Sequence, residues 1–68
     1  MTIEIMLNGE AYSLPVGHNV QQLVDKLGLT GQALAIAVNR QVIPRASWQQ
    51  SVFQAQDRVE IVRAIGGG

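Results

Sequence analysis

Cysteine is absent from this chain of 68 residues, so neither a disulfide nor a thiolate-bound metal can hold the fold together. A chain of this length forms a single domain, and its stability must come from an apolar core that it can only just fill. The hydrophobic residues, 47% of the total, are therefore needed mainly for packing. Because a deep internal active site would remove part of that core, we expect any chemistry to occur at a surface or a chain end, within a partner's pocket.

The charged residues are few and balanced, with five Lys and Arg against five Asp and Glu. They form no basic cluster of the kind that binds nucleic acid. The longest apolar run, residues 33–38, is far shorter than the roughly 20 residues that cross a bilayer. The N-terminus contains Glu4 and lacks the basic residues that begin a signal peptide. We therefore expect a cytoplasmic protein without a nucleic-acid or membrane partner.

The start of the chain predicts a β-hairpin. Apolar residues alternate with mostly polar ones from Ile3 to Leu7, which is the period of a strand. The following Asn8-Gly9 is the commonest kind of pair in tight hairpin turns, because both residues tolerate a positive φ. A second strand then runs through about Tyr12 to Leu14 and ends at Pro15.

One amphipathic helix follows the hairpin. Asn19 can cap its N-terminus, and Gln22, three residues later, completes a capping box. Its apolar face is formed by Val20, Leu23, Val24 and Leu27. Gly28 comes directly after the last residue of that face and ends the helix. Because so short a helix is marginal alone, we expect it to pack on a sheet.

Three further segments predict the remaining strands. Residues 34–38 are apolar throughout, as in a central strand that is covered on both faces. Residues 42–43 form a short strand that Pro44 stops, which suits an edge position. Residues 58–65 alternate again and predict the last strand, after an irregular polar stretch.

The predicted order is β-β-α-β-β-β, an α+β fold in which one helix packs on one face of a mixed sheet of four to five strands. We expect this single domain to cover residues 1–65. Residues 66–68 then form a flexible glycine tail at the C-terminus.

Few residues could support catalysis. His18 is the single histidine. No second histidine is therefore available for a His-based metal site, and no other histidine could serve in a Ser-His-Asp triad. The position of His18 just before the helix cap predicts an exposed loop residue. No glycine-rich phosphate loop precedes the helix, so the chain itself should bind neither ATP nor another cofactor. The carboxylates are scattered singly, at Glu4, Glu10, Asp25, Asp57 and Glu60. We therefore expect a protein that is not an enzyme by itself.

Two apolar side chains raise the question of partner binding. Trp48 could anchor a partner, but such a residue more often covers a small core. Val62 is different, because Val59 and Ile61 are expected to face the helix and Val62 must then point to the open face of the sheet. With Ala64 it could begin a docking patch that leads to the C-terminus.

The chain closes with Gly66, Gly67 and Gly68. Gly-Gly is a weak motif in general, since terminal glycines are often only frayed chain or linker. A tail without side chains can nevertheless pass through a narrow channel, and it would carry a carboxylate roughly 10 Å beyond Ile65. The carboxylate of Gly68 is the single reactive group that such a tail presents.

These features resemble the ThiS family, the sulfur carriers of thiazole biosynthesis, over essentially the whole chain. The resemblance rests on the Asn8-Gly9 hairpin, the helix that ends at Gly28, the sequence AVNRQVIPR at residues 37–45, Trp48, the sequence DRVEIV at residues 57–62, and the closing glycines. It implies a β-grasp, or ubiquitin-like, roll in which the first and last strands pair in parallel at the sheet centre. The family ends on Gly-Gly, so the third glycine, Gly66, is a minor departure.

The resemblance also implies a function. A ubiquitin-activating-type (ThiF-like) adenylating enzyme would dock on the sheet face and adenylate the Gly68 carboxylate with ATP. Sulfur from a persulfide donor would displace AMP and leave a C-terminal thiocarboxylate, 1-thioglycine. A ThiG-like thiazole synthase would then use that sulfur to build the thiazole ring. Gly68 would be the modified residue, with Gly66 and Gly67 as the threading tail.

Two other functions stay open from the sequence. The small subunit of molybdopterin synthase uses the same tail chemistry while bound to a catalytic partner subunit, although this chain is short for that family. A ubiquitin-like modifier, or a plain interaction module, would use the same fold differently. A modifier would be found joined through Gly68 to lysines of other proteins.

Overall fold

A computed structural model describes residues 1–63 of the chain. Its elements in chain order are β1 (Thr2–Leu7), β2 (Glu10–Pro15), α1 (Val20–Lys26), β3 (Leu34–Val38), β4 (Gln41–Val42), a 3₁₀ helix (Arg45–Ser47) and β5 (Arg58–Arg63). The strands form one sheet in the order β2-β1-β5-β3-β4. β1 and β5 pair in parallel, whereas the other neighbours are antiparallel. The predicted order and the β-grasp arrangement are confirmed.

The first hairpin turns at Asn8 and Gly9, whose φ angles are 50° and 84°. Asparagine and glycine adopt these left-handed conformations more easily than other residues, which explains the pair. β2 is longer than predicted, because it begins at Glu10 and includes Pro15. A proline is tolerated at this point because β2 lies at the edge of the sheet.

α1 is defined by its caps. The Asn19 side chain accepts a hydrogen bond from the Gln22 main-chain N–H at 2.8 Å, and the Gln22 side chain accepts one from the Asn19 N–H at 2.8 Å. This is the predicted capping box. At the other end Gly28 has a φ of 73°, which ends the helix after its C-cap residue Leu27.

The core lies between α1 and one face of the sheet. Its buried residues are Ile5, Leu14, Val20, Leu23, Val24, Ile36, Trp48, Phe53 and Val59. Trp48 is 2% exposed, and its Nε1 donates a hydrogen bond to the Ile43 carbonyl at 3.0 Å. The prediction that Trp48 covers the core is confirmed. Trp48 directly follows the 3₁₀ helix, which lies in a segment where the sequence predicted only irregular chain.

β3 differs from its prediction in one respect. It lies inside the sheet, between β5 and β4, as expected for an apolar strand. Ile36 faces the core and is 1% exposed, whereas the neighbouring Ala35 is exposed on the opposite face. The expected burial on both faces is wrong, because α1 covers one side of the sheet and no element within residues 1–63 covers the other.

The second strand of the β3–β4 hairpin begins one residue earlier than predicted. The two turn residues of the hairpin, Asn39 and Arg40, have φ angles of 52° and 69°. β4 therefore begins at once and spans Gln41–Val42 instead of residues 42–43. Its predicted edge position is confirmed.

Candidate docking face and C-terminal strand

The sequence predicted its functional site at the C-terminal end of the chain. Ala64 and residues 66–68 lie outside the described residues, so the modified Gly68, the threading tail and the domain end at residue 65 stay predictions. The described part of β5 ends at Arg63. Val62 is the one predicted site residue that the structure locates.

Val62 lies on the face of the sheet opposite to α1 and is 62% exposed. Successive side chains of a strand point to opposite faces, and Val59, three residues earlier, is buried in the core. The prediction that Val62 points to the open face is therefore confirmed.

Val62 belongs to a wider apolar surface, termed here the open-face patch, which comprises Ala35, Ala37, Val42 and Val62. Val62 pairs with Ala35 across β5 and β3, and Ala37 pairs with Val42 across β3 and β4. Val42 is 68% exposed. Cross-strand partners share a face, so the four side chains form one surface on the open side of the sheet.

Ala35 and Ala37 were missed as members of the open-face patch, because residues 34–38 were interpreted as buried on both faces. A signal was present in the size of the side chains. Large residues occupy positions 34, 36 and 38, whereas positions 35 and 37 are both alanine. Such an alternation of large and small apolar residues is what a strand with one buried and one open face can show.

Charged side chains lie beside this patch on the same face. Arg58 pairs with Met6 of β1, and Glu60 pairs with Ala37 of β3. A depression of about 600 Å³ between the two hairpin turns includes Met6, Arg58 and Glu60 in its lining. It is open to solvent and cannot shield a reactive intermediate from water. A reaction that needs a dry site could therefore not take place in this depression.

The first hairpin turn contacts the C-terminal strand through Asn8. The Asn8 N–H donates a hydrogen bond to the Val59 carbonyl at 2.9 Å. Its side-chain Oδ1 accepts one from the Ile61 N–H at 2.9 Å, and its Nδ2 donates one to the Ile61 carbonyl at 3.3 Å. These contacts join residues that are far apart in the chain, and nothing in the local sequence pattern indicates them.

The other candidate groups form no site within the described residues. His18 is half-buried instead of exposed, because its carbonyl accepts a hydrogen bond from the Phe53 N–H at 3.0 Å and the loop is drawn toward the core. Among residues 1–63, no three His, Asp or Glu side chains lie close enough to hold a metal ion. The same part of the chain contains no helix that is long and apolar enough to span a membrane.

Sequence comparison relates the chain to proteins of one family. Residues 5–68 match the profile of the ThiS family. The chain is 30% identical over 66 residues to the sulfur carrier protein ThiS of Escherichia coli strain K12, with 97% of this chain and 100% of that protein covered. It is 33% identical over 66 residues to a thiazole synthase of Magnetococcus marinus, of which it covers 20%. The chain thus spans about a fifth of the length of that thiazole synthase.

The fold has a solved counterpart. A crystal structure of the thiamine biosynthesis protein ThiS from Geobacter metallireducens matches with a TM-score of 0.82 and 22% sequence identity, covering 97% of this chain and 100% of that one. At this identity the likeness supports the fold alone. The family match spans residues 5–68, which include the open-face patch and the closing glycines. The chain therefore belongs to the ThiS family.

Proposed function

We propose that this chain is a sulfur carrier in thiamine biosynthesis, a protein co-substrate rather than an enzyme, and that it carries sulfur on the carboxyl group of Gly68. The observation that carries this proposal is the family match, which runs to residue 68 and includes the terminal Gly67-Gly68. The Escherichia coli relative that the chain covers in full is named a sulfur carrier. The composition agrees, because a chain without cysteine offers no side-chain thiol to hold the sulfur instead.

The terminal carboxylate needs activation, because its charge is spread over two oxygens and makes it a poor electrophile. We expect a ThiF-like adenylating enzyme to bind ATP, so that the Gly68 carboxylate attacks the α-phosphate and pyrophosphate leaves. The terminal sulfur of a donor persulfide then attacks the acyl carbon and displaces AMP. A thiol finally cleaves the sulfur–sulfur bond, is itself oxidised to a disulfide, and releases the C-terminal thiocarboxylate.

The open-face patch is the proposed docking surface for the adenylating enzyme. Val62 lies on the strand that leads to Gly68, six residues further on. Fully extended, those six residues span about 20 Å. A partner seated on the open face would therefore hold the terminus within reach of a nucleotide bound beside that face. The exposed apolar side chains of Val42 and Val62 would lose contact with water in such a complex.

A thiazole synthase is the proposed acceptor of the sulfur. In Magnetococcus marinus and in Paramagnetospirillum magneticum, a segment similar to this chain is part of a polypeptide named thiazole synthase. Two modules on one polypeptide meet at a high effective concentration, which supports a direct encounter between carrier and synthase. The thiocarboxylate sulfur is a soft nucleophile and suits transfer to a substrate bound in such a synthase.

The proposal is tested by incubating the chain with ATP, a ThiF-like enzyme and a persulfide donor, followed by intact-mass measurement. Replacement of oxygen by sulfur adds the same nominal mass as oxidation of Met1 or Met6 to the sulfoxide. The assay therefore includes an alkylating reagent, which modifies the thiocarboxylate and no cysteine, since the chain has none. We expect an alkylated product with ATP and none without it. If the mixture that contains all of these components yields no thiocarboxylate, the proposal is contradicted.

Two variants test the terminus itself. Deletion of Gly68 withdraws the carboxylate from the nucleotide, and addition of one residue after Gly68 displaces it. We expect both changes to abolish loading. Both lie beyond Arg63, the last described residue of β5, and should leave the unfolding midpoint unchanged. Normal loading of either variant would remove the terminus from the mechanism.

The two alternative functions give different results. A molybdopterin-synthase small subunit would co-purify with the large subunit of that enzyme instead of a thiazole synthase. A ubiquitin-like modifier would form conjugates in which Gly68 is joined to lysines of other proteins. We expect no co-purification with a molybdopterin-synthase large subunit when the chain is isolated from cells. We also expect no lysine conjugates when it is incubated with its activating enzyme.

A further inference from the structure

The side chain of Asn8 takes the place of a missing piece of strand. In a regular parallel ladder, one residue donates its N–H to the neighbouring strand and accepts, through its carbonyl, from the residue two positions further along that strand. Asn8 makes the first bond of this pattern, because its N–H donates to the Val59 carbonyl. Its φ of 50° then turns the main chain into the hairpin. The carboxamide of Asn8 supplies to Ile61 the acceptor and the donor that a continued β1 would have offered.

This contact extends the support of β5 toward the C-terminus. β1 itself pairs with β5 only at Met6 with Arg58 and at Leu7 with Val59. On its other side, β5 pairs with β3 as far as Arg63. Without the Asn8 carboxamide, the β1 side of β5 would lose its hydrogen-bonded support before Ile61.

We propose that Asn8 is a positioning residue for sulfur loading, because its carboxamide fixes the direction in which the chain leaves the domain after Ile61. The inference rests on the proposed function, in which Gly68 must meet a nucleotide held by a partner. A looser hold on Ile61 would spread the terminus over more directions. The carboxylate would then be aligned for attack in a smaller fraction of the docked complexes, which lowers kcat. Docking itself uses the open-face patch, to which Asn8 does not belong, so KM should not change.

Asn39 provides a matched control. It is also the first residue of a two-residue turn, with a φ of 52°. Its side chain also bonds to β5, since its Oδ1 accepts from the Arg58 N–H at 3.0 Å. That contact lies at the start of β5, away from the end that leads to Gly68. Glycine at either asparagine keeps the left-handed turn and removes only the side-chain bonds.

The test compares steady-state loading of the wild-type chain, Asn8→Gly and Asn39→Gly by the adenylating enzyme with its persulfide donor at saturating ATP. We expect Asn8→Gly to lower kcat about fivefold, which corresponds to roughly 1 kcal/mol, the net value of a typical hydrogen bond. KM for the carrier should stay at the wild-type value. Asn39→Gly should change neither constant, although both variants should lower the unfolding midpoint to a similar extent.

Two further measurements separate positioning from stability. Hydrogen exchange at the Ile61 amide should become faster in Asn8→Gly than in Asn39→Gly, although the two variants lose a similar amount of global stability. Asn8→Asp keeps an acceptor for the Ile61 N–H but puts an oxygen beside the Ile61 carbonyl. We expect this variant to lower kcat as well, again with an unchanged KM.

The outcomes distinguish this inference from the proposed function. Equal kcat values for the wild-type chain and Asn8→Gly, or an equal fall in Asn39→Gly, would overturn the positioning role and leave sulfur loading intact. A wild-type chain that is not loaded at all would overturn the proposed function, and this inference with it.

Discussion

Substitution of Val62 by aspartate would place a charge within the proposed docking surface. Val62 is 62% exposed, so about three-fifths of its side chain is still available for burial against a partner. Complete burial of a valine contributes roughly 1.5–3 kcal/mol. Docking should therefore gain about 1–2 kcal/mol from this side chain, which corresponds to a roughly 5- to 30-fold change in Kd. The cost of removing the new carboxylate from water adds to that loss.

The same substitution should have little effect on folding. Val62 contributes no side chain to the core, and the lower β-propensity of aspartate costs about 1 kcal/mol at most. Val62→Thr keeps the β-branched shape and gives a second, milder variant. Val16→Asp is the matched control, because Val16 is 57% exposed but lies in the turn after β2.

The assay is titration of each variant against the ThiF-like enzyme without ATP, with calorimetric measurement of Kd. We expect a higher Kd for Val62→Asp, a smaller increase for Val62→Thr and a wild-type value for Val16→Asp. Wild-type affinity of the folded Val62→Asp chain would refute the docking surface. An equal loss in Val16→Asp would show that the added negative charge, and not its place on the sheet, weakens binding.

Two further predictions concern stability. Asn19→Ala should lower the free energy of unfolding by about 1 kcal/mol, because the Gln22 N–H loses its cap, whereas Asn19→Asp keeps the acceptor and should cost less. Urea unfolding measures both, and equal losses would argue against the capping role. Trp48→Phe should cost about 1–3 kcal/mol, because the Ile43 carbonyl loses its donor and the smaller ring leaves a space in the core. An unchanged thermal unfolding midpoint would show that neither the bond nor the fit of the ring contributes.

The features that could be predicted from the sequence are those that short-range physics determines. The turn at Asn8 needs positive φ angles that few residue types tolerate, and the capping box joins Asn19 to a residue only three positions away. Alternation on β5 indicated correctly that Val62 points away from the core. Each of these predictions depends on neighbours within one turn or one strand.

The features that the sequence could not provide depend on contacts between distant segments. Alternation shows which side chains share a face, but it does not show whether anything covers that face, so Ala35 was expected to be buried. The parallel pairing of β1 with β5 came from the family resemblance and not from the residues. The carboxamide of Asn8 bonds to Ile61, 53 positions away, and no local pattern predicts such a partner.

The place of β5 within the sheet has a consequence for biosynthesis of the protein. β5 fills the gap between β1 and β3, so the two halves of the sheet have no common neighbour until it is present. During translation, the first hairpin and α1 emerge early, but their apolar faces stay incompletely covered until residues up to Arg63 have left the ribosome. We expect the native state to form in one late, cooperative step that depends on long-range pairing, and nascent chains that stop before β5 to be substrates for proteases.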